Sequence, residues 1–237
     1  MHALVIADIH ANIDALLALE LQWKGGLRDF DRIVCLGDLV DYGPDPRAVI
    51  DWVRAHATDV VRGNHDHAMA TGEPCESSPA YLPASLATRD RLRPMLTQEE
   101  IAYLAALPLT SAVRDRDRTW HLVHAVPANP LHDYVLSDSP EARWRAALGE
   151  TIGQCVLLGH THLPFMRPVA GGTILNPGSI GMPKDGNRNG SYAVIRDGAV
   201  QFYRIGYDPE PMIRRLCALD LPQRVFHQLA RTFRTGS

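Results

Sequence analysis

Acidic, amide and imidazole side chains follow five short apolar runs of this sequence. The first run, at 4–7, ends in Asp8, and His10 stands two residues further on. Oxygen and imidazole donors without thiolates suit first-row divalent ions such as Mn²⁺, iron or Zn²⁺ better than they suit a cysteine-rich structural zinc site. The candidate ligands after the five runs are Asp8, His10, Asp38, Asn64, His124, His160 and His162. Their types predict a metal centre that is assembled from distant parts of the chain.

The spacing inside two of these segments suits a shared site. One residue separates Asp8 from His10, and one residue separates His160 from His162. In an extended backbone, alternate side chains point to the same side. We therefore expect both pairs to be extended and to present both members to one site. Asn64 is the only neutral amide of the set, and its carbonyl oxygen can ligate a metal without adding charge.

The apolar runs themselves predict buried strands. Runs without polar alternation are typical of strands in a sheet that is covered on both faces. Between the first three strands, an apolar face from Ile13 to Trp23 behind a possible N-cap at Asn12 predicts one helix, and 47–56 predicts another. The runs stand at 4–7, 33–36, 60–61, 122–123 and 156–158. The first part of the chain therefore reads as β-α-β-α-β.

The pattern changes after the third strand. Gly, Pro and Ser between 71 and 83 indicate a loop, and helices are predicted at 85–92 and at 97–107, the latter beginning with a capping box of Thr97 and Glu100. We interpret 67–107 as a helical insertion, or cap, within a single domain of residues 1–237. The second half is richer in strand. Its predicted elements are strands at 110–114, 119–125, 154–158, 165–169, 173–175, 191–195 and 199–205, a charged turn at 115–118, and helices at 140–148 and within 209–233.

Composition excludes some classes of partner. The formal net charge of −3 gives no general attraction to nucleic acid or to anionic membranes. No stretch approaches the roughly 20 apolar residues that a membrane span needs. The four cysteines stand far apart without a C-x-x-C motif, which favours a reducing cytoplasm over a disulfide framework. The sequence does not indicate an oligomeric state.

Five motifs in order resemble those of the calcineurin-like metallophosphoesterase superfamily. The motifs are Asp8-x-His10, Gly37-Asp38-x-x-Asp41-x-Gly43, Gly63-Asn64-His65-Asp66, His124 and Gly159-His160-x-His162. The segments around His124 and at 176–183 look like those of the bacterial and archaeal branch of small phosphodiesterases. The resemblance implies an α/β fold of four αββα layers, in which two mixed sheets pack face to face with helices on both outer sides.

The resemblance also implies a mechanism. Asp38 would bridge two divalent ions, with Asp8, His10 and His162 on one ion and Asn64, His124 and His160 on the other. A metal-activated hydroxide would attack phosphorus, and His65 would protonate the leaving oxygen. Asp41 would orient His65 and keep it protonated, whereas Asp66 could be structural.

One departure from the family pattern bears on the substrate. Tyr42 follows the second Asp of its motif, where the protein-phosphatase branch has a phosphate-binding Arg. Loss of that cation favours a phosphodiester or nucleotide as the small substrate. Lys184 and Arg188, on a Gly-rich loop, could also bind substrate or could be solvated surface cations. A protein or dinucleoside-polyphosphate phosphatase is the alternative enzyme, and a non-catalytic metal-binding scaffold for protein interaction is the alternative of another class.

Overall fold

Ten β-strands form two five-stranded sheets in the computed structural model, which describes residues 1–115 and 118–237. The strands are β1 (His2–Ile6), β2 (Arg32–Cys35), β3 (Asp59–Val60), β4 (Thr110–Asp115), β5 (Arg118–Val123), β6 (Cys155–Leu157), β7 (Pro164–Val169), β8 (Gly172–Pro177), β9 (Gly190–Arg196) and β10 (Ala199–Ile205). The first sheet has the order β10-β9-β1-β2-β3 and the second has the order β4-β5-β6-β8-β7. Both sheets are mixed. Strands β1, β2 and β3 run parallel, as do β5, β6 and β8, while β9 is antiparallel to β1 and β10, β4 is antiparallel to β5, and β7 is antiparallel to β8.

Helices cover the outer sides of both sheets. They are α1 (Ile13–Gln22), α2 (Pro46–His56), α3 (Asn64–Thr71), α4 (Leu82–Leu92), α5 (Gln98–Ala106), α6 (Glu141–Leu148), α7 (Glu210–Cys217) and α8 (Gln223–Thr235). Helices α1 and α2 pack on the first sheet, and α6 packs on the second through the buried Trp144. The predicted four-layer αββα sandwich is therefore confirmed.

Strand β1 shows why its sequence is apolar without a break. Leu4 and Ile6 contact the helical layer, whereas Ala3 and Val5 point to the other face and pack against Trp120 of the second sheet. All four of these β1 side chains are completely buried. Because successive residues of a strand face opposite sides, a strand with two covered faces needs apolar residues at every position.

Most local predictions are confirmed. The Asn12 side chain accepts a hydrogen bond from the backbone of α1, and Thr97 and Glu100 form the expected capping box of α5. Two predictions were wrong in their bounds. The third strand, predicted to run from 59 to 62, ends at Val60, and α3 occupies 64–71, where the sequence predicts no helix. Arg116 and Asp117 of the predicted charged turn lie outside the described residues.

The helices of this fold are short. The longest of those described, α8, has 13 residues. Across 1–115 and 118–237, no helix has both the length and the apolar character needed to span a bilayer.

Candidate active site

The seven candidate ligands lie where the strands of both sheets end. Asp8 and His10 follow β1, Asp38 follows β2, and Asn64 begins α3 just after β3. The remaining ligands follow β5 and β6 of the second sheet. All seven are at most 3% exposed. Because the carboxyl ends of parallel strands meet at one edge of a sheet, the two sheets together bring the seven residues to a single buried cluster.

The backbone at these positions is not extended, so the expectation for the two spaced pairs was wrong. Their φ angles are 54° at Asp8, 50° at His10, 67° at His160 and 60° at His162. This left-handed region costs free energy for residues with a side chain, and it persists only where surrounding contacts hold it. Here the backbone N–H of His10 donates to the Asp38 carbonyl at 2.9 Å, and that of His160 donates to both Asp8 carboxylate oxygens at 3.1 Å.

One half of the cluster contains His10, His162 and Asp8. The Nδ1 atoms of His10 and His162 lie 3.0 and 2.6 Å from the carbonyl oxygens of Val40 and Met182, so each Nδ1 carries the proton and donates it. The Nε2 atoms therefore carry lone pairs, and they face each other at 3.2 Å. The Asp8 Oδ1 lies 3.5 Å from Nε2 of His162. Three electron-rich atoms thus converge without a proton between them.

The other half contains His124, Asn64 and His160. His124 Nδ1 donates to the Leu36 carbonyl at 2.7 Å, which directs Nε2 into the cluster. The Asn64 amide nitrogen donates to the carbonyl oxygen of Cys75 at 2.9 Å, so its Oδ1 faces inward. This oxygen lies 3.0 Å from His124 Nε2 and 3.1 Å from His160 Nδ1. One amide oxygen and two ring nitrogens thus converge in this half.

Asp38 stands between the two halves. Its Oδ2 lies 3.2 Å from His124 Nε2 and 3.7 Å from His10 Nε2, while its Oδ1 accepts a hydrogen bond from the His65 backbone at 3.0 Å. A carboxylate in this position can be shared between two cations. The donor set of nitrogens and oxygens, with lone pairs that repel one another unless a cation separates them, fits divalent metal ions.

The pKa values of the clustered side chains bear on metal binding. Burial lowers the pKa of His10, His160 and His162 well below its usual value, so these imidazoles are neutral. Burial opposes the charge of Asp38, but His124 and His65 hold the pKa of this carboxyl well below its usual range. Burial lowers the pKa of His124, but Asp38 outweighs this and raises it to about 9, while burial raises the pKa of Asp8 to about 7. Neutral imidazoles and ionised carboxylates are the forms that bind metal, so metal binding displaces the protons of these two residues.

His65 and Asp41 form a buried pair beside the cluster. His65 Nδ1 donates to Asp41 Oδ2 at 2.7 Å, and its Nε2 faces the cluster, 3.9 Å from Asp38. Burial disfavours the charged imidazole, but Asp38 and the bond to Asp41 raise the pKa of His65 well above its usual value. The structure therefore brings together the predicted acid and its predicted orienting carboxylate.

The insertion supplies two further residues to this pair. Arg89 of α4 is buried and binds Asp41, while Ser85 donates to Asp41 Oδ2 at 3.1 Å. The Arg89 guanidinium also donates to the Ser85 hydroxyl at 2.8 Å. Sequence reasoning did not place Arg89 at the site, because it lies in a series of arginines at 89, 91 and 93 in which nothing distinguishes one from the next.

Asp66 has a structural role. Its carboxylate accepts hydrogen bonds from the backbone N–H groups of Asp38 at 2.9 Å, Leu39 at 2.8 Å and Gly63 at 3.0 Å. These bonds tie the loop after β2 to the start of α3. The ligands Asp38 and Asn64 are thereby fixed relative to each other.

The three candidate substrate residues have different environments. Tyr42 is buried, and its ring lies 4.8 Å from the rings of His10 and His65. Lys184 is half-buried, with Nζ 3.5 Å from His162 Nε2; burial lowers its pKa to about 8, against the attraction of Asp8 and Asp38. Arg188 is exposed on the same loop. Of the two basic residues, the structure brings only Lys184 to the cluster.

Two neighbours of the ligands were not predicted. The Tyr134 ring stacks on the His160 ring with centroids 3.8 Å apart, and the Cys75 sulfur lies 3.0 Å from the amide nitrogen of Asn64. Both residues stand in segments without regular structure. Apolar periodicity, which located the strands, gives no signal for such positions.

Gly181 lies in the loop that follows β8, at 178–184, and allows this loop to pass close to Asp8. A Cβ atom on Gly181 would lie 1.7 Å from the Ile9 carbonyl oxygen, and the Gly181 N–H donates to the Asp8 carbonyl at 3.2 Å. We predict that Gly181→Ala lowers the free energy of unfolding by about 1–3 kcal/mol, because the backbone between Asp8 and His10 must shift. Urea denaturation measures this, with Gly206→Ala as control, since a Cβ there meets only Asn189 at 3.5 Å. Equal stability of the two variants would contradict the prediction.

The αββα sandwich and the buried cluster of candidate ligands at its strand ends are features of an α/β metal-binding protein. The sequence of residues 1–197 matches the model of the calcineurin-like phosphoesterase superfamily domain. The chain belongs to this superfamily. The family resemblance found in the sequence is thereby confirmed, and its members depend on divalent metals.

Relatives match over nearly the whole chain. An uncharacterized protein of Methanocaldococcus jannaschii is 27% identical, with 92% of this chain and 93% of that protein covered. The crystal structure of a metallophosphoesterase from Sphaerobacter thermophilus is 32% identical with a TM-score of 0.75, covering 98% and 99% of the two chains. A hypothetical protein from Pyrococcus horikoshii has a TM-score of 0.82 at 24% identity, covering 96% and 97%, which shows a shared fold.

Proposed function

We propose that this chain is a binuclear, divalent-metal-dependent phosphoesterase that hydrolyses small phosphodiesters or nucleotides. The proposal is supported by two features that lie side by side in one buried region. Nitrogen and oxygen donor atoms converge in two groups around Asp38, and an imidazole suited to donate a proton stands beside them. A purely structural metal site has no use for such an acid.

The two groups support one division of the proposed ligands between two ions. Asp8, His10 and His162 would hold one ion, Asn64, His124 and His160 would hold the other, and Asp38 would belong to both. When bound, a pair of Mn²⁺, iron or Zn²⁺ ions supplies Lewis-acid activation of the phosphoryl group and a water nucleophile at neutral pH.

The protein's own residues handle the leaving group. His65 presents its Nε2 to the cluster, so its proton is directed at the oxygen that departs from phosphorus. Asp41 accepts from Nδ1 and fixes the ring, and Arg89 and Ser85 in turn hold the Asp41 carboxylate. The ring therefore cannot rotate its Nε2 away without breaking a buried network. Tyr42 packs against His65 and narrows the site on that side.

Two alternative functions are compatible with the same fold. A protein or dinucleoside-polyphosphate phosphatase would use the same ligands and acid, and would differ in the residues at the rim. A non-catalytic scaffold would keep the fold and the metal but would have no need for a buried network around His65.

For the cellular location of the protein we propose the cytoplasm, in line with four free cysteines, of which Cys35 and Cys75 are buried.

The direct test uses metal-stripped protein reloaded with Mn²⁺. We expect hydrolysis of p-nitrophenyl phosphate or bis(p-nitrophenyl) phosphate that is absent without metal and returns in proportion to the Mn²⁺ bound. Metal content by elemental analysis and the rate of p-nitrophenolate release are measured on the same samples. Protein that binds two equivalents of metal and hydrolyses neither ester, nor a nucleotide or a phosphoprotein, would favour the scaffold.

A further inference from the structure

The Lys184 ammonium lies at the edge of the candidate metal centre without an acidic partner. Its Nζ is 3.5 Å from Nε2 of His162, and among residues 1–115 and 118–237 no carboxylate oxygen lies within 4 Å of it. Other cations near the site are paired, as Arg89 is with Asp41. A cation that has no ion-pair partner and lies beside a candidate ligand nitrogen is free to bind an anion.

Two aromatic rings hold this ammonium in place. Nζ lies 4.4 Å from the centroid of the Tyr81 ring and 5.5 Å from that of the Tyr42 ring. The face of an aromatic ring attracts a cation without neutralising it. Lys184 is therefore positioned by Tyr81 and Tyr42, yet keeps its positive charge available for an anion.

The choice of lysine is unusual for this chain. Of its 24 basic residues, only Lys24 and Lys184 are lysines and the rest are arginines. An ammonium is a compact point charge, whereas a guanidinium is a wide planar fork. Between two rings and the His162 imidazole, the compact group suits contact with a single oxygen atom.

Charge balance indicates what the anion is. His162 Nε2 is a candidate ligand, so a dication bound there would stand within a few ångströms of Nζ, and like charges at this distance repel. A phosphoryl oxygen between them removes the repulsion. A phosphomonoester dianion offers one more terminal oxygen, and one more negative charge, than a diester monoanion.

We propose that Lys184, held by Tyr42 and Tyr81, binds a terminal oxygen of the substrate phosphate, and that the site consequently favours phosphomonoesters, nucleoside monophosphates among them, over diesters. The inference rests on the proposed phosphoesterase function and, of the two substrate classes proposed there, favours nucleotides over phosphodiesters. Tyr42 stands where the phosphatase branch has its phosphate-binding Arg. Here a lysine from a loop more than a hundred residues further along the chain supplies the cation, and Tyr42 is part of what holds it.

The test compares two esters with the same leaving group. Kinetics of the Mn²⁺-loaded protein are measured with p-nitrophenyl phosphate and with bis(p-nitrophenyl) phosphate for Lys184→Gln, Lys184→Arg and the matched control Lys24→Gln, which removes an exposed lysine. We expect Lys184→Gln to lower kcat/KM for the monoester about 10- to 100-fold and that for the diester less than about 3-fold. Lys184→Arg should recover part of the monoester rate, and Lys24→Gln should match the wild type.

A binding measurement makes the result independent of turnover. Calorimetric titration of the metal-loaded proteins with inorganic phosphate should show affinity weakened by Lys184→Gln by a similar factor, with metal content unchanged. Equal losses for both esters, no loss for either, or loss of bound metal in Lys184→Gln would overturn the inference. If the wild type hydrolysed neither these esters nor a nucleotide or a phosphoprotein, the proposed function would fail, while the phosphate titration would still decide whether Lys184 binds phosphate.

Discussion

Replacing His65 with Asn should lower kcat/KM for phenyl phosphate esters about 10²- to 10⁴-fold, which is the range for loss of a positioned general acid. Esters of p-nitrophenol should lose much less, because that leaving group departs as a stable anion without needing a proton. The prediction follows from the direction of His65, whose Nδ1 binds Asp41 at 2.7 Å and whose Nε2 faces the cluster. Steady-state rates for the two leaving groups, measured on equally metal-loaded proteins, give the comparison.

The dependence on pH provides a second readout of the same group. Burial disfavours the charged imidazole, but the charge of Asp38 and the hydrogen bond to Asp41 raise the pKa of His65 well above its ordinary value. The acid form therefore persists at neutral pH and is lost only as pH rises through the raised pKa. The wild-type rate on phenyl esters should therefore fall on the alkaline side, and His65→Asn should lack that limb. A loss that is the same for both leaving groups would show that His65 supports the metal ligands rather than donating a proton.

The convergence of the candidate ligands could be predicted from the sequence because their positions follow from strand physics. Asp8 and Asp38 each end a buried apolar run, and a polar residue at such a point stands where the strand leaves the core. Parallel strands place these ends at one edge, so residues far apart in sequence meet. The sandwich itself came from the family resemblance, since the apolar pattern alone does not state which faces pack together.

Other parts of the site depend on tertiary contacts that leave no periodic signal. Arg89 looks like its neighbours in sequence, and only the packing of α4 against the loop after β2 makes it the partner of Asp41. Lys184 reads as a surface cation on a Gly-rich loop until Tyr81, from the insertion, is brought over it. The left-handed backbone at His10 and His160 was also beyond prediction, because the strain there is held by hydrogen bonds from other segments.

Helices α7 and α8 hold these distant pieces together. They pack in one apolar cluster with Ala84 of α4, Tyr42 of the loop after β2, and Met182 of the loop that carries Lys184. The insertion and the Lys184 loop therefore share a support that lies outside the matched family region of residues 1–197. This explains how two walls of the site that are separate in sequence can keep a fixed spacing.

Asp38→Asn should have the largest effect of all on metal binding. The carboxylate stands 3.2 Å from His124 Nε2 and 3.7 Å from His10 Nε2, so it is the acidic side chain that contacts both groups of donors. A neutral amide offers one ligating oxygen and no charge to offset two dications. Loss of a residue that merely orients a ligand typically weakens metal binding 10- to 100-fold, so loss of a shared ligand should weaken binding of at least one ion by more than about 100-fold.

Calorimetric titration with Mn²⁺ and Zn²⁺ distinguishes a shared carboxylate from an ordinary ligand. Wild-type protein should bind two equivalents, and Asp38→Asn should retain at most one tight equivalent, with hydrolysis of both p-nitrophenyl esters reduced to the metal-free rate. The exposed Asp138→Asn is the matched control and should bind as the wild type does. By contrast, His162→Asn removes a donor from one group alone, so the ion held by Asn64, His124 and His160 should still bind. If Asp38→Asn also kept two tight equivalents, the carboxylate would not bridge, and the two groups of donors would have to act as separate sites.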